Sequence, residues 1–495
     1  MAQSEVAQLP LSGTGSSFGY LRRDPERSFL YQTVRENWQT FLAHAENTGK
    51  GLPFYVVREF EGYLKCGILA YGFARMKCEQ CRHEKLVAFS CKKRGFCPSC
   101  CGRRMAETGV FLSERMFPKV PVRQWVMSFP VPLRYWMAAN PKLMSTVLGI
   151  VTRAVAGFYR KRGIARGIGS GETGAVTLVQ RFGNSVNVNV HFHQLWVEGV
   201  FAKSSSGVPG HRWVPKPADQ DISQVLETIQ KRVLRLLIKR GYLEAADKVA
   251  EDTSERLETD EPLFASLMSA STQNRIATGD RSGQRVRKVG SFGVAGERAI
   301  KEGSLCAYLG GFSLHANVFI EAGKPKKLER LCRYVSRPPV AEDRLYRLEN
   351  GDIGYFLKSE WKDGTFAVRF SPHEFIEKIV ALIPQPRIHM TRYHGVLAPN
   401  HSWRDQIVPG LPPETKSDDK KPGLTAKQRM TWAELLKRVF QIDLTTCPDC
   451  GGAVKFISAI MKRDVVVKIL EHLNLPSEQP KWVPARAPPA MAFDL

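Results

Sequence analysis

Two pairs of cysteines constrain the fold of this chain more than any other feature of its sequence. Cys78 and Cys81 form one Cys-x-x-Cys pair, and Cys97 and Cys100 form a second pair after fifteen intervening residues. Each pair can place two thiolates on one tetrahedral zinc ion, and the spacing is typical of a zinc ribbon. We therefore predict a structural zinc site that uses all four cysteines. A cluster of buried free thiols is the alternative.

The remaining cysteines leave two questions open. Cys66 and Cys91 can contribute to a second zinc site, because they lie within the same cysteine-rich region. Near the other end of the chain, Cys447 and Cys450 repeat half of the pattern, with no second pair close to them in the sequence. This last pair is either a turn without metal or part of a site that distant residues complete. Such cysteine usage suits metal binding better than disulfides in a reducing compartment.

A strand-like run of alternating polar and apolar residues, 186–193, carries two histidines. The alternation predicts that His191 and His193 project from one face of the strand, whereas Phe192 between them points to the opposite face. Two imidazoles at positions i and i+2 of a strand can reach a single metal ion. A His-x-His pair is a weak indication by itself, but we predict that this pair binds a divalent metal.

A basic helix, predicted over 325–337, carries a tyrosine at the edge of its apolar stripe. The stripe residues, at helical spacing, are Leu328, Leu331, Cys332 and Val335. Tyr334 lies beside this stripe, and its basic neighbours on the helix are Lys327, Arg330 and Arg337. Cations there would bind phosphate and favour the phenolate, so we predict that Tyr334 attacks a phosphodiester. An ordinary tyrosine at the boundary of the core is the alternative.

Two histidines are too few ligands for a metal ion, and two side chains compete for the third position. His315 lies in a second alternating run, 311–318, and faces the metal if both strands share one sheet. Residues 175–182 and 186–201 are predicted to form a hairpin around Gly183-Asn184-Ser185, and Gln180 lies on its first strand. A three-residue loop would place Gln180 on the wrong face, although a slip of one residue would reverse that. The prediction favours His315 as the third metal ligand. For the nucleophile, Tyr393 and Tyr135 are the alternatives to Tyr334.

A large positive charge indicates a polyanionic partner. The chain has 72 Lys and Arg against 48 Asp and Glu, a net charge of +24, and nucleic acid is the first candidate. Further basic residues expected to contact DNA crowd the cysteine region: Lys92, Lys93, Arg94, Arg103 and Arg104. No apolar run approaches the length of a membrane span and no secretory leader is visible, so we predict a cytoplasmic protein.

Composition and periodicity divide the 495 residues into several segments. The predicted segments are a loose N-terminus (1–30), a helical and zinc-binding domain (31–115), a central α+β domain (118–400) with an insertion near 203–288, a linker (401–425), and a small C-terminal domain (426–495). The central domain is expected to contain a sheet, because strand-like runs alternate with helical ones.

A series of short motifs extends over nearly the whole chain, from about residue 30 to residue 475. In chain order they are Cys66-Gly67, Cys78-x-x-Cys81, Ser90-Cys91-Lys92, Arg94-Gly-Phe-Cys97-Pro-Ser-Cys100, Arg103-Arg104, Arg123-Gln-Trp-Val, Asn189-Val-His191-Phe-His193, Glu198-Gly199-Val200, Leu331-Cys-Arg-Tyr334-Val-Ser-Arg-Pro-Pro339, Asp363-Gly-Thr365 and Arg392-Tyr-His-Gly395. Together they closely resemble the bacterial rolling-circle transposases of the HUH endonuclease superfamily, the IS91-like insertion sequences.

The resemblance implies a zinc-binding domain followed by an HUH nuclease domain with an antiparallel central sheet. It also implies nicking of single-stranded DNA with Mg²⁺ or Mn²⁺, and a covalent link from a tyrosine to the 5′ phosphate. His191 and His193 match the metal-binding pair, and Tyr334 matches the nucleophile. Relatives with two tyrosines carry them four residues apart, whereas this chain has Arg330 at the earlier position. It therefore resembles the single-tyrosine branch, which is associated with common-region elements.

Three functions fit these observations. The leading one is a transposase, because a zinc domain precedes the nuclease. A replication initiator or relaxase would use the same chemistry at a different origin, although the sequence has no helicase-like phosphate-binding loop. A zinc-ribbon DNA-binding regulator would need neither His191 nor Tyr334 for catalysis. The oligomeric state and the recognised DNA ends stay open.

Overall fold

The computed structural model describes residues 23–47, 51–169, 171–244, 261–290, 304–361, 363–410 and 445–486. Over these ranges the protein is a mixed α+β structure with eleven α-helices and several antiparallel sheets, which confirms the predicted fold class. None of the helices in the described ranges is both long and apolar enough to cross a membrane.

The elements are numbered in chain order. The helices are α1 (Phe29–Asn47), α2 (Phe54–Leu64), α3 (Pro98–Phe111), α4 (Val131–Ala139), α5 (Pro141–Ile164), α6 (Asp219–Lys239), α7 (Pro262–Thr272), α8 (Pro325–Val335), α9 (Pro372–Leu382), α10 (Arg404–Ile407) and α11 (Arg463–His472). The strands are β1 (Phe73–Cys78), β2 (Glu84–Ala88), β3 (Val122–Ser128), β4 (Gly174–Phe182), β5 (Val188–Val197), β6 (Val200–Lys203), β7 (Pro209–Arg212), β8 (Arg287–Gly290), β9 (Cys306–Leu309), β10 (Phe312–His315), β11 (Phe319–Ile320), β12 (Leu345–Arg347), β13 (Ile353–Phe356), β14 (Thr365–Phe370), β15 (Thr391–Gly395) and β16 (Val454–Ile460).

The chain folds into two units whose composition differs from the predicted segments. The smaller unit combines residues 65–91 with residues 445–480, and the larger unit contains residues 26–64 and 92–410. The predicted domain 31–115 is thus divided between them, because β1 pairs with β16 from the far end of the chain. Of the predicted linker, residues 401–410 include α10, and 411–425 lie outside the described residues, as do residues 1–22.

The smaller unit is built on a three-stranded antiparallel sheet in the order β16-β1-β2. Its core is small: Phe73 and Leu69 pack with Val466 and Leu470 of α11. Few apolar side chains are buried here, and a unit of this size generally needs a metal or another cross-link to be stable.

The larger unit is centred on an antiparallel sheet in the order β15-β4-β5-β3-β10-β9, with β11 beside β3. The predicted hairpin is confirmed, since β4 and β5 pair with each other around a turn at 183–187. On one face of β5, Phe192 contacts Phe129, and Trp196 stacks on Tyr159 of α5. These buried aromatic side chains fix that face of the sheet against α4 and α5.

Helix α8 covers the opposite face of this sheet. Its buried residues Leu328, Cys332 and Val335 belong to one hydrophobic cluster with Val176 of β4 and Leu195 of β5. The predicted apolar stripe is therefore confirmed, and burial of this stripe sets which way the remaining side chains of α8 point. The side of the sheet that carries α8 is also the side to which His193 points, because His193 and Leu195 are two residues apart on β5.

Helix α3 packs closely on α8, and a glycine permits the contact. A Cβ atom at Gly109 would lie 2.6 Å from Cγ of Arg333 and 3.4 Å from the carbonyl oxygen of Glu329. Arg333 is held in place by an ion pair with Glu329 at 2.7 Å. A side chain at position 109 would therefore require the Arg333 side chain to move.

A buried ion pair joins two of the sequence motifs, Arg123-Gln-Trp-Val and Glu198-Gly199-Val200. The guanidinium of Arg123 on β3 donates to the carboxylate of Glu198 at 2.8 Å, and both residues are almost inaccessible to solvent. Tyr159 donates to the same carboxylate at 2.9 Å, and Arg123 also donates to the carbonyl of Ala316. A buried pair with its hydrogen bonds satisfied ties β3 to the end of β5 and to the chain after β10.

The second sheet of the larger unit has four antiparallel strands in the order β12-β13-β14-β8. Strand β8 comes from the predicted insertion near 203–288, which therefore contributes to the fold of this unit instead of forming only a surface loop. The buried side chains of this sheet include Ile353, Tyr355, Val368 and Phe370, and Phe370 contacts Phe375 of α9.

Candidate active site and metal sites

The two histidines of β5 lie side by side, as the alternation predicts. The Nε2 atoms of His191 and His193 are 3.2 Å apart. Nδ1 of His191 donates to the carbonyl oxygen of Asn189 at 2.8 Å, which leaves its Nε2 lone pair directed at its neighbour. Burial lowers the pKa of His191 to about 4 and the pKa of His193 well below its ordinary value. Both imidazoles are therefore neutral near pH 7, which is the form that binds metal.

Gln124 of β3 holds the ring of His193. Nε2 of its side-chain amide lies 2.6 Å from Nδ1 of His193 and can donate to it. With the amide turned over so that its oxygen faces the ring, Nδ1 would carry the proton and the Nε2 lone pair of His193 would be available to a metal. Hydrogen bonds of this kind orient metal-binding histidines and fix their tautomer.

The structure favours Gln180 over His315 as the third ligand, which corrects the sequence prediction. Gln180 pairs directly opposite His191, because the register shifts by a bulge between Gln180 and Phe182. Its Nε2 donates to the carbonyl of Val335 at 2.6 Å. Its Oε1 is buried and has no hydrogen-bond partner among the residues that the structure describes. An amide oxygen in this state is a suitable metal ligand.

His315 lies on the same face of the sheet but further away. It pairs with Val126 of β3, and Val126 in turn pairs with His193, so one whole strand separates the two histidines. In the described ranges, every group of three or more His, Cys, Asp or Glu ligand atoms within 4.8 Å of one another consists of cysteines. His315 therefore does not complete the histidine site.

Tyr334 lies at the edge of α8 above the histidine pair. Its ring stands perpendicular to that of His193 with the ring centres 6.3 Å apart, and the residue is 38% exposed. Nζ of Lys358 donates to the Tyr334 hydroxyl at 2.7 Å, and the Arg337 guanidinium lies 4.6 Å from the ring centre. Burial alone would raise the pKa of Tyr334, but the hydrogen bond from Lys358 and the charge of Arg337 outweigh it and lower the pKa.

Several cations surround this tyrosine and the histidines. The charges of Arg337 and Arg134 act on His191, and the charge of Lys358 acts on His193. Arg344 lies close enough to Arg337 to lower its pKa further, although burial is the larger cause. A partly buried cluster of positive charges of this kind is suited to bind a phosphate group.

The sequence identified only part of this cluster. Arg337 was predicted from its place on the helix, and Lys327 and Arg330 lie exposed on α8 on the same side as Tyr334. Lys358, Arg134 and Arg344 come from other elements and carry no local motif, so no spacing could have indicated them.

The basic residues of the cysteine region are partly used inside the larger unit. Arg94 donates to the carbonyl of Ile388 at 3.0 Å, and Arg104 donates to the carbonyls of Lys92 and Lys93 at 3.4 Å. Lys92 is exposed, whereas Lys93 and Arg103 are half-buried. The helix that carries Arg103 and Arg104 is α3, which packs on α8, so the structure connects these cations to the helix of Tyr334.

The two alternative tyrosines lie on elements other than α8. Tyr393 lies on β15, where it pairs with Val176 and packs against the hydrophobic cluster under α8. Tyr135 lies on α4, which covers the opposite face of the sheet. Tyr334 is therefore the tyrosine that the geometry supports.

A group of four cysteines lies within the smaller unit. The sulfur atoms of Cys78, Cys81, Cys447 and Cys450 all lie within 4.8 Å of one another. Cys78 is 3.5 Å from Cys450 and Cys81 is 3.5 Å from Cys447, sulfur to sulfur. Four sulfurs each about 2.3 Å from a tetrahedral zinc would be about 3.8 Å apart. The group therefore fits zinc, and the Cys447–Cys450 pair is completed by distant residues.

This grouping corrects the predicted ligand set. Cys97 and Cys100 do not join Cys78 and Cys81 here, because they lie in the first turn of α3, which belongs to the larger unit. The antiparallel pairing of β1 with β16 places Cys78 opposite Val454, a few residues after Cys450. The sequence spacing could not reveal this pairing, which joins opposite ends of the chain.

Local turns present these cysteines to a metal. Backbone N–H groups of Cys81 and Gln80 lower the pKa of Cys78 to about 7. In the second turn, the N–H of Gly452 donates to the sulfur of Cys450 at 3.4 Å, and Gly451 adopts a φ of +72°. Turns that direct N–H groups at sulfur stabilise the thiolate form that zinc requires.

Two family models match the chain. Residues 33–129 match Zn_Tnp_IS91, described as "Transposase zinc-binding domain", and residues 174–404 match Y2_Tnp, described as "Putative transposase". The second match contains the histidine pair, Gln180 and Tyr334. Cys447 and Cys450 lie beyond both matched regions. A search of curated proteins and a search of solved structures gave no match.

Proposed function

We propose that this chain, an IS91-like transposase with an N-terminal zinc-binding domain, nicks and rejoins single-stranded ends of a mobile element through a 5′-phosphotyrosine. DNA is its partner because that is the substrate of a transposase. One observation carries the finer proposal. The Tyr334 hydroxyl accepts a hydrogen bond from Lys358 at 2.7 Å, in a cluster of cations beside two neutral histidines.

Tyr334 is the nucleophile in this proposal. Its phenolate oxygen attacks phosphorus, a new bond forms between that oxygen and phosphorus, and the bond from phosphorus to the 3′ oxygen breaks. The 3′ oxygen leaves and takes up a proton to become a hydroxyl. Because the phosphotyrosine retains a phosphodiester bond, attack by a new 3′ hydroxyl rejoins the strand without an external energy source.

Lys358 and Arg337 prepare the tyrosine and hold the phosphate. Both cations lie against the Tyr334 ring, at 3.9 Å and 4.6 Å from its centre. Since they lower its pKa, more of the tyrosine is phenolate at a given pH. The same charges can then stabilise the phosphate oxygens, on which negative charge builds up during attack.

A divalent ion fits beside this tyrosine. His191, His193 and the buried oxygen of Gln180 would hold Mg²⁺ or Mn²⁺. When bound, the ion would polarise the scissile phosphate as a Lewis acid. Imidazole is a softer ligand than Mg²⁺ usually takes, so we expect weak binding that DNA oxygens and water complete.

Zinc has a structural role in this proposal. Four thiolates from Cys78, Cys81, Cys447 and Cys450 would fill all four positions of a tetrahedral ion and leave none for a substrate. The zinc of this group would therefore stabilise the smaller unit and would not take part in nicking.

We predict that Tyr334→Phe abolishes the covalent protein–DNA adduct while DNA affinity changes less than about twofold, because only one hydroxyl is removed. Purified protein is incubated with labelled single-stranded element ends and Mg²⁺, and the adduct is resolved under denaturing conditions. Tyr393→Phe is the matched control and keeps the adduct. An adduct that persists in Tyr334→Phe would assign the nucleophile elsewhere, and wild-type protein without any adduct would favour a DNA-binding regulator.

A further inference from the structure

We propose that the exposed face of the four-stranded sheet is a base-stacking surface for single-stranded DNA that leads to the scissile phosphate. The surface consists of Tyr346, Phe356 and Phe366 and is called the aromatic row below. This inference rests on the proposed function, because it names where the same substrate binds beside the active site.

The aromatic row is continuous. The rings of Tyr346 and Phe356 are stacked with their centres 4.4 Å apart at 27°, and those of Phe356 and Phe366 are 6.4 Å apart at 23°. The rings therefore lie nearly parallel across three strands, β12, β13 and β14. Parallel aromatic faces at such spacing resemble the platforms on which successive bases stack in proteins that bind single strands.

The core of the unit does not need these rings. The opposite face of the sheet buries Tyr355, Val368 and Phe370, while Phe356 is 43% exposed and Phe366 is 37% exposed. Large apolar side chains that remain accessible in a row commonly mark a binding surface.

A glycine brings the first ring of the row down onto the sheet. Tyr346 pairs with Gly354, and a Cβ atom at position 354 would lie 2.0 Å from the Tyr346 ring. Without that Cβ, the ring lies flat on β13 and can stack on Phe356. Gly354 therefore sets how closely the Tyr346 ring approaches the sheet, and with it the geometry of the aromatic row.

The aromatic row leads directly to the nucleophile. Lys358, which donates to the Tyr334 hydroxyl, follows Phe356 by two residues. Two residues of extended chain span about 7 Å. The backbone between them is fixed, since Asn184 accepts from the N–H of Lys358 at 2.8 Å and from Arg344 at 3.1 Å. In this proposal, the bases next to a phosphate that meets Tyr334 would reach the aromatic row.

The charge beside the row suits a nucleic acid. Lys358 follows Phe356 by two residues, and Arg344 donates to the backbone carbonyl of Phe356 with its guanidinium over the ring of Tyr355. Arg347 follows Tyr346 and is exposed, with the carboxylate of Glu36 4.0 Å away. Two carboxylates of the same sheet region are already paired. Asp352 is paired with Arg287 and Arg369, and Asp363 is paired with Lys288 at 2.6 Å. Cations beside aromatic rings can bind phosphates while the rings stack on bases.

The test compares two probes, single-stranded oligothymidylate and an abasic strand of the same length, which has the same phosphates but no bases. We expect wild-type protein to bind oligothymidylate at least about tenfold more tightly in a fluorescence anisotropy titration. In the double variant Phe356→Ala with Phe366→Ala, this preference falls to about twofold or less, while affinity for the abasic strand is retained. Phe356→Tyr with Phe366→Tyr keeps the preference, because the rings remain.

Phe54→Ala is the matched control, since Phe54 is 74% exposed and has Arg58 over its ring but lies on α2. It should keep the preference, and thermal melting should show that every variant is folded. An alanine double variant with an unchanged preference, or one that loses affinity for both strands equally, overturns the proposal, as does a wild type that binds the two strands equally well. Adduct formation by the wild type, measured separately, decides the proposed function, so the two proposals can fail independently.

Discussion

At the scale of single residues, burial is the main reason why both histidines of the pair are neutral. Desolvation is the largest cause of the low pKa of both His191 and His193, and nearby cations add to it. Because neither imidazole has to lose a proton near pH 7, the proposed divalent ion would bind without a competing ionisation. The same cations would repel the ion, so the anionic substrate is expected to strengthen metal binding.

Substitution of Gln180 tests the corrected ligand set. Gln180→Ala removes the buried oxygen beside His191 and should weaken Mn²⁺ binding by at least about tenfold, measured by calorimetry with DNA bound. Gln180→Glu keeps an oxygen ligand and should retain metal binding. His315→Ala is the control, since one strand separates His315 from the pair, and it should bind Mn²⁺ like the wild type. A larger loss in His315→Ala than in Gln180→Ala would restore the assignment made from the sequence.

Lys358 gives a prediction about pH. It lowers the pKa of Tyr334, so the phenolate forms at lower pH than it would without this lysine. Nicking should therefore rise with pH and level off as that pKa is passed. In Lys358→Met the pKa is raised and the rise moves to higher pH. We expect about a tenfold lower rate near pH 7, because a tenfold weaker acid has a tenfold smaller phenolate fraction there. Single-turnover nicking rates across pH measure this, and an unmoved profile in Lys358→Met would contradict it.

At this scale, the sequence could predict the site residues that belong to a local pattern. His191 and His193 were visible because strand alternation is local, and Tyr334 because helical spacing is. Lys358 was not, since it reaches Tyr334 from 24 positions further along the chain. Gln180 was placed on the wrong face because a bulge and a turn longer than three residues change the register.

At the scale of elements, the position of Tyr334, the proposed nucleophile, depends on how α8 is held between the sheet and α3. The apolar stripe of α8 fixes its rotation, and Gly109 of α3 sets how closely the two helices approach. The stripe was predictable from its periodicity. The packing of α3 was not, because nothing in the sequence around Gly109 shows that it faces another helix.

Gly109→Val tests this contact. The added side chain meets Arg333 and the backbone of α8, so we expect a loss of stability of about 1–3 kcal/mol and a lower rate of adduct formation. Gly102→Ala, on the same helix, is the matched control, because a Cβ there meets nothing within 4 Å. It should be neutral or stabilise α3 by up to about 1 kcal/mol. Thermal melting and adduct yield are measured together, and equal effects of both substitutions would argue against the contact.

At the scale of the whole molecule, the smaller unit depends on pieces from both ends of the chain. The periodicity of β1, β2 and α11 indicates elements but not partners, and the cysteine spacing pointed to the nearest pair. The central sheet combines the hairpins β4–β5 and β9–β10 with long-range pairings of β3 and β15. Its α+β class followed from the alternation of strand-like and helical runs in the sequence, but its strand order did not.

Cys447→Ser tests the metal of the smaller unit. With one of four thiolates lost, we expect the zinc bound through this group to be released and the smaller unit to unfold, because such a site contributes folding free energy directly. Zinc is measured by elemental analysis and unfolding by hydrogen exchange of residues 73–88. Cys306→Ser on β9 is the control and should change neither. Cys66 and Cys91 are the residues that the sequence offers for a second zinc site. A zinc content that is unchanged in Cys447→Ser would support the predicted set of Cys78, Cys81, Cys97 and Cys100.

The pairing of Cys78 with Cys450 also sets the order of events during synthesis. These residues are 372 positions apart, and a ribosome adds about 5–20 residues per second, so roughly 20–75 s pass between them. During that interval β1 has no β16 to pair with, and Cys78 and Cys81 lack the other two cysteines of the group. A message cut short after the nuclease sheet would release a chain that has Tyr334 but lacks a finished smaller unit. Completion of the smaller unit is thereby tied to translation past Cys450 and β16.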